Sequence, residues 1–155
     1  YRPGILYRLG EAYLNYAEAL NESDAGNPDI LKYLNLIRER AGIPQFGKAI
    51  NPLSVPVSPE AMRQAIRRER RVELNTEGIR YRDIRRWKIG EQVLNGNFDG
   101  MNFSGTDKSD DESNPKAYFK RSVYQRRVFN KRNYWFPIPQ SEIDKNPNLV
   151  QNPGY

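Results

Sequence analysis

The sequence predicts a mainly α fold in which helical hairpins are followed by long irregular loops and an extended C-terminal tail. Three observations carry this. Apolar residues recur at spacings of three and four over 5–21 and again over 28–41; helix-starting and helix-ending residues bracket further stretches up to residue 95; and the periodicity is lost from Gly96 onward.

Over 5–21, from Ile5 on, the residues Leu6, Leu9, Tyr13, Tyr16, Ala17 and Leu20 fall on one helical face. Pro28 suits the first turn of a second helix, which carries Ile30, Leu34 and Ile37 and ends at Gly42, a residue suited to a C-terminal cap. Residues 1–44 therefore read as a helical hairpin. Leu6-x-x-Leu9-Gly10-x-x-Tyr13 resembles the opening of a tetratricopeptide unit, and Ile30, Leu34 and Ile37 fall where its second helix would place its core. One such unit cannot bury both faces and needs neighbours.

Pro44, Pro52, Pro56 and Pro59 keep the next segment extended. Ser58-Pro59-Glu60 is a helix start, with Ser58 as cap and Pro59 in the first turn; this third helix should run to about Thr76 and end at Gly78. A fourth helix from Ile79 through Trp87 is expected to continue to Val93 before Asn95-Gly96-Asn97 stops it. Residues 58–95 thus form a helix pair. The stretch 96–123 reads as a polar loop without helix or strand period, and 124–155 as an extended tail with Pro137, Pro139, Pro147 and Pro153.

At 155 residues the chain suits one domain with its own core. No run of about 18 apolar residues is present, which excludes a membrane-spanning helix from this sequence. Tyr1-Arg2-Pro3-Gly4 leads almost at once into the helical pattern, so any targeting segment is expected upstream of Tyr1. The sequence has no Cys and no His. Disulfides, thiolate metal sites, cysteine nucleophiles and the commonest general base are thereby excluded, and neither a metal nor a cofactor is expected.

Twenty-five Lys and Arg against 19 Asp and Glu leave a net charge of +6. In the third helix the stripe Met62, Ile66, Glu69 or Arg70, and Glu73 places charges on the apolar face. Inward charges persist when paired, so Glu69, Arg70 and Glu73 are expected in an ion-pair network, in which Arg70 pairs with Glu69 or Glu73, or with Glu18 or Glu39 on the first hairpin. Glu69 and Glu73, four apart, could instead form the acid and base of a glycosidase. That chemistry needs carboxylates in unequal environments, and the neighbouring arginines would hold both ionised.

Arg80-Tyr81-Arg82-Asp83-Ile84-Arg85-Arg86-Trp87 has the basic, aromatic-interleaved look of a nucleic-acid surface. Asp83, three residues from both Arg80 and Arg86, favours a salt-bridged helix, and no nucleic-acid partner is expected. The loop acids Asp107, Asp110, Asp111 and Glu112 have the oxygen chemistry for calcium but fit no EF-hand spacing, and read as a solvated acidic loop.

Five blocks in order carry a resemblance over nearly the whole chain. They are 9–20 (Leu-Gly-Glu-Ala-Tyr-Leu-Asn-Tyr-Ala-Glu-Ala-Leu), 34–44 around Ile37-Arg38 and Ala41-Gly42-Ile43-Pro44, 66–74 (Ile-Arg-x-Glu-Arg-Arg-Val-Glu-Leu), 77–87 ending Arg85-Arg86-Trp87, and 136–155 from Phe136-Pro137-Ile138-Pro139 to Asn152-Pro153-Gly154-Tyr155. They resemble the C-terminal portion of the SusD/RagB-like outer-membrane nutrient-binding lipoproteins. The N-terminal portion of that family's fold and its lipidated cysteine are not in this sequence.

The resemblance implies part of a SusD-like fold with tetratricopeptide-like repeats and a cell-surface, outer-membrane protein, lipid-anchored through an N-terminal segment outside this chain. It also implies a non-catalytic protein that binds an oligosaccharide or other nutrient and delivers it to a SusC-like TonB-dependent transporter. Ligand contacts in the family usually come from aromatic and polar loop residues, which here points to Phe98, Asn102, Phe103 and Tyr118. Their rings could stack on sugar faces and the amide could bond hydroxyls. The alternatives are a tetratricopeptide-like helical adaptor and a nucleic-acid-binding module that uses the basic helices.

Overall fold

The computed structural model describes residues 6–48 and 50–155. Helices α1 (Leu9–Ser23), α2 (Pro28–Arg40), α3 (Pro59–Glu73), α4 (Ile79–Arg86) and α5 (Gly90–Val93) come first. Strands β1 (Gly96–Met101) and β2 (Arg121–Arg127), a 3-10 turn (Lys131–Tyr134) and α6 (Gln140–Lys145) follow. Packing divides the chain into two compact units, Tyr1–Tyr81 and Arg82–Tyr155, with the boundary inside α4.

In the first unit α1 packs on α2 and α3. Its core is Leu14 and Ala17 of α1, Ile30, Leu34 and Ile37 of α2, Met62 and Ile66 of α3, together with Phe46 and Leu74. The helix starts follow the local chemistry. Asn27 accepts a hydrogen bond from the Asp29 N–H ahead of α2, and Ser58 accepts one from Ala61 N–H ahead of α3. Gly42, at φ +68°, closes α2 with two bonds, Gly42 N–H to Glu39 O and Ile43 N–H to Arg38 O.

The inward face of α1 differs from the expected stripe. Ile5 lies outside the described residues, Leu6 and Leu9 are exposed, and the buried line is Leu14, Ala17 and Asn21. Tyr13 and Tyr16 flank that line and meet Tyr33, with ring centroids at 4.9 and 5.2 Å. The helix takes the face that α2 and α3 both contact, and a spacing rule alone does not distinguish this face from its neighbour.

The proline-rich strap after α2 is held by Asn35, which is buried. Its side-chain amide donates to Phe46 O (3.0 Å) and accepts from Phe46 N–H (2.8 Å). Asn35→Ala strands both main-chain groups away from water and is expected to lower stability by about 1–2 kcal/mol. Urea unfolding is the check, and an unchanged midpoint would show that the clasp contributes nothing.

In the second unit β1 and β2 pair antiparallel from Gly96↔Arg127 to Met101↔Arg121, with a bulge between Phe98 and Asp99. This corrects the expectation of a structureless loop over 96–123. The pairing was hidden because β1 contains two glycines and an aspartate, and both strands are largely exposed on both faces, so neither shows alternating hydrophobicity. Two further corrections concern helices. The fourth helix does not continue to Val93 but stops at Arg86 and restarts as α5, and the tail folds locally into the 3-10 turn and α6.

Candidate functional site

The charges expected in an ion-pair network lie on α3 and α4. Glu69 is buried against the equally buried Arg38 guanidinium, whose Nε also donates to Pro44 O at 2.5 Å. Arg70, 3% exposed, donates to Asn15 Oδ1 at 2.6 Å and stands 3.6 Å from Glu18. Glu73 takes Arg8 at 2.5 Å and Arg40 at 2.6 Å. Gly10 lets this happen: a Cβ there would lie 2.6 Å from Arg8 Nη1 and 3.0 Å from Glu73 Oε1. In the second unit, buried Asp83 accepts from Arg86 at 2.9 Å.

Burial pushes the Glu69 carboxyl above the ordinary glutamate range, and Arg38 only partly opposes it. Arg8 and Arg63 act in the other direction on the more exposed Glu77 and Glu22, which their hydrogen bonds lower. Glu69 lines a cavity of about 650 Å³ under the strap, together with Arg38, Phe46 and Arg68. No second carboxylate lines that cavity, so it lacks the acid and base pair a glycosidase requires. Glu73, the expected second member, is engaged with its two arginines instead.

The four loop residues fall on and beyond the hairpin. Phe98, on β1, has the Arg127 guanidinium 3.6 Å from its ring centroid and Tyr124 edge-on at 6.3 Å. Phe103 is 70% exposed and meets Tyr118 edge-on at 6.2 Å, and Tyr118 meets Phe119 in the same way at 5.3 Å. The rings therefore form two groups, Phe98 with Tyr124 and Phe103 with Tyr118 and Phe119. Each presents flat apolar surface with a cation or a hydroxyl nearby.

Asn102 stands differently. Its amide donates to Pro115 O (3.2 Å) and Ala117 O (3.1 Å), and its N–H reaches Tyr118 O at 3.0 Å. The side chain closes the base of the 102–118 excursion and so sets the position of Phe103 and Tyr118. Sequence reasoning missed Phe119, Tyr124 and Arg127. For Tyr124 and Arg127 the missing signal is the strand register that brings them beside Phe98 from more than 20 residues away. Phe119, by contrast, directly follows Tyr118 and could have been found from that adjacency.

The acidic residues build the excursion. Asp107 accepts from Ser109 N–H and the Asn114 amide, and Asp111 accepts from both the N–H and hydroxyl of Ser113, which hold its carboxyl below the usual range. Among the described residues no group of three or more His, Cys, Asp or Glu is placed to hold a metal ion.

Comparison with known proteins agrees with the fold. The model of the SusD family matches residues 2–155. A curated relative, SusD-like protein P2 of Formosa agariphila, is 32% identical over 154 residues, which is 97% of this chain and 26% of that protein. The chain thus spans about a quarter of that relative's length. Among solved structures, a SusD-like protein of Bacteroides fragilis superposes with a TM-score of 0.75 at 34% identity, over 94% of this chain and 25% of that one. A SusD superfamily protein of Parabacteroides distasonis gives 0.60 at 25% identity, over 97% and 27%. With a family match over nearly its whole length and related structures that share its mainly helical architecture, the chain belongs to the SusD family.

Proposed function

We propose that this chain is part of a non-catalytic, cell-surface glycan- or nutrient-binding protein that delivers its ligand to a SusC-like TonB-dependent transporter of the outer membrane. Membership of the SusD family is the observation that carries this reading. The hairpin supports it locally: Phe103 and Phe119 offer exposed ring surface on either side of the half-buried Tyr118, on a loop fixed by Asn102, as stacking against sugar rings requires. No helix among the described residues is long and apolar enough to cross a membrane. Membership of the SusD family is what supports assigning membrane attachment to a lipid anchor outside this chain.

The isolation of each inward carboxylate among arginines supports binding without cleavage. Titration of the full-length protein with a panel of neutral and acidic polysaccharides, followed by product analysis, tests both halves. Binding without products is expected, with Phe103→Ala and Tyr118→Ala each weakening it by about tenfold, the scale of one lost ring stack. Product formation that disappears in Glu69→Gln would overturn the non-catalytic reading, and unchanged affinity in both ring variants would remove the hairpin from the site.

A further inference from the structure

A cavity of about 340 Å³ in the second unit lies apart from the hairpin residues. Lys88 lines it from the α4–α5 junction, Glu91 from α5, and Lys131, Arg132, Tyr134 and Trp135 from the 3-10 turn and the residue after it. Its aromatic wall is fixed from behind: Tyr134 Oη accepts from Gly90 N–H at 2.9 Å, and its ring meets Phe129 at 4.9 Å and Trp135 at 6.2 Å. Trp135 nevertheless remains 44% exposed.

The electrostatics differ from those of the first unit, where inward cations meet carboxylates. Lys88, Lys131 and Arg132 have no ion-pair partner among the described residues, and Arg132 rests instead near the Tyr155 ring. Three cations against Glu91 leave an uncompensated positive lining beside an exposed indole.

Lys88 supplies an independent observation. It sits at φ +53° in the cap of α4, where Lys88 N–H bonds Arg85 O and Ile89 N–H bonds Ile84 O. The same two-bond motif closes α2 with Gly42 in the corresponding place. Glycine is the residue that adopts this conformation without strain. At the end of α4 the chain instead holds a strained lysine, and that residue is part of the cavity lining.

We infer that this cavity is a subsite for an acidic saccharide unit, in which Trp135 stacks on the sugar face and Lys88, Lys131 and Arg132 receive a carboxylate or sulfate. The inference rests on the glycan-binding reading above and adds the chemistry of a second contact point. The volume is at the lower end of ligand sites, enough for about one or two sugar rings. Glu91, as the acceptor in the lining, suits a sugar hydroxyl.

Calorimetric titration of the full-length protein with digalacturonate, a sulfated galactobiose and neutral galactobiose tests it. One charged probe is expected to bind about tenfold more tightly than the neutral one, with the advantage shrinking as salt is raised. Which charged probe gains identifies carboxylate or sulfate as the recognised group. Lys88→Gly should remove about three- to fivefold of that advantage, the scale of an exposed charge contact, while leaving the melting temperature unchanged or raised. Trp135→Ala should weaken charged and neutral probes alike. Equal binding of the three probes, or charged-probe affinity untouched by Lys88→Gly, overturns the subsite and leaves the glycan reading standing. Failure of every saccharide, including the polysaccharide panel, would sink both.

Discussion

Glu69→Ala is expected to lower stability by about 3–5 kcal/mol, because it leaves the Arg38 guanidinium in the interior without its carboxylate. Arg38 cannot escape by losing its proton, since arginine stays charged at any ordinary pH. Its packing against Phe46, 5.1 Å from the ring centroid, and its bond to Pro44 O also hold it in place. The pair as a whole is a different matter. Replacing both members by apolar residues of similar volume, Arg38→Met with Glu69→Leu, is expected to be neutral or stabilising, because two desolvated charges are removed together.

The pH dependence follows from the same burial. The Glu69 pKa is raised on folding, so the group's favourable contribution is complete below the unfolded glutamate value and is lost as pH rises through the folded one. The double variant should lack that loss. Urea unfolding of the single and double variants between about pH 4 and pH 7 is the measurement. A single-variant loss under about 1 kcal/mol would show that Arg38 reaches solvent.

The second large effect is expected at Gly90. A Cβ there would lie 2.3 Å from Phe129 Cε1 and 2.5 Å from its Cζ, inside any tolerable contact. Gly90→Ala must displace the Phe129 ring, which packs edge-on to Tyr134 and has the Arg85 guanidinium 5.7 Å from its centroid. Overpacking of this kind should destabilise the second unit by about 2–3 kcal/mol. It should also disturb the wall carrying Trp135, visible as a shift in tryptophan emission. Wild-type stability and emission together would show that the ring moves freely.

Much of the first unit was legible because its helix boundaries are written in local chemistry. Asn27-Pro28, Ser58-Pro59 and Gly42 each satisfy or terminate a helix end by a mechanism that needs no partner from elsewhere. The inward charges of α3 were legible as well, since a helical face that includes Glu69 and Arg70 is informative by itself. Arg38 as the partner of Glu69 was not, because that pairing depends on how α2 and α3 pack. The hairpin was hidden for the related reason that β1 and β2 are separated by a long excursion and lack alternating hydrophobicity. Tyr124 and Arg127 reach Phe98, and Lys88 reaches the cavity with Trp135, only through packing between distant segments.

The ion pairs of the first unit also bear on the order in which it assembles. The α1–α2 hairpin closes over the short Asp24–Asn27 turn, whereas α3 is joined through pairs between residues far apart in sequence. Arg38 and Glu69 are 31 apart, Arg40 and Glu73 are 33, Arg63 and Glu22 are 41, and Arg8 and Glu73 are 65. Short loops close first and long ones late, so the hairpin is expected to form the early nucleus, with α3 docking onto it afterwards. Docking must desolvate Arg38 and Glu69 before their attraction is realised, which places part of the barrier in dehydration. The arginine clamps at Glu22, Glu73 and Glu77 are then expected to form after the barrier and to act chiefly on the rate at which the docked helix is released.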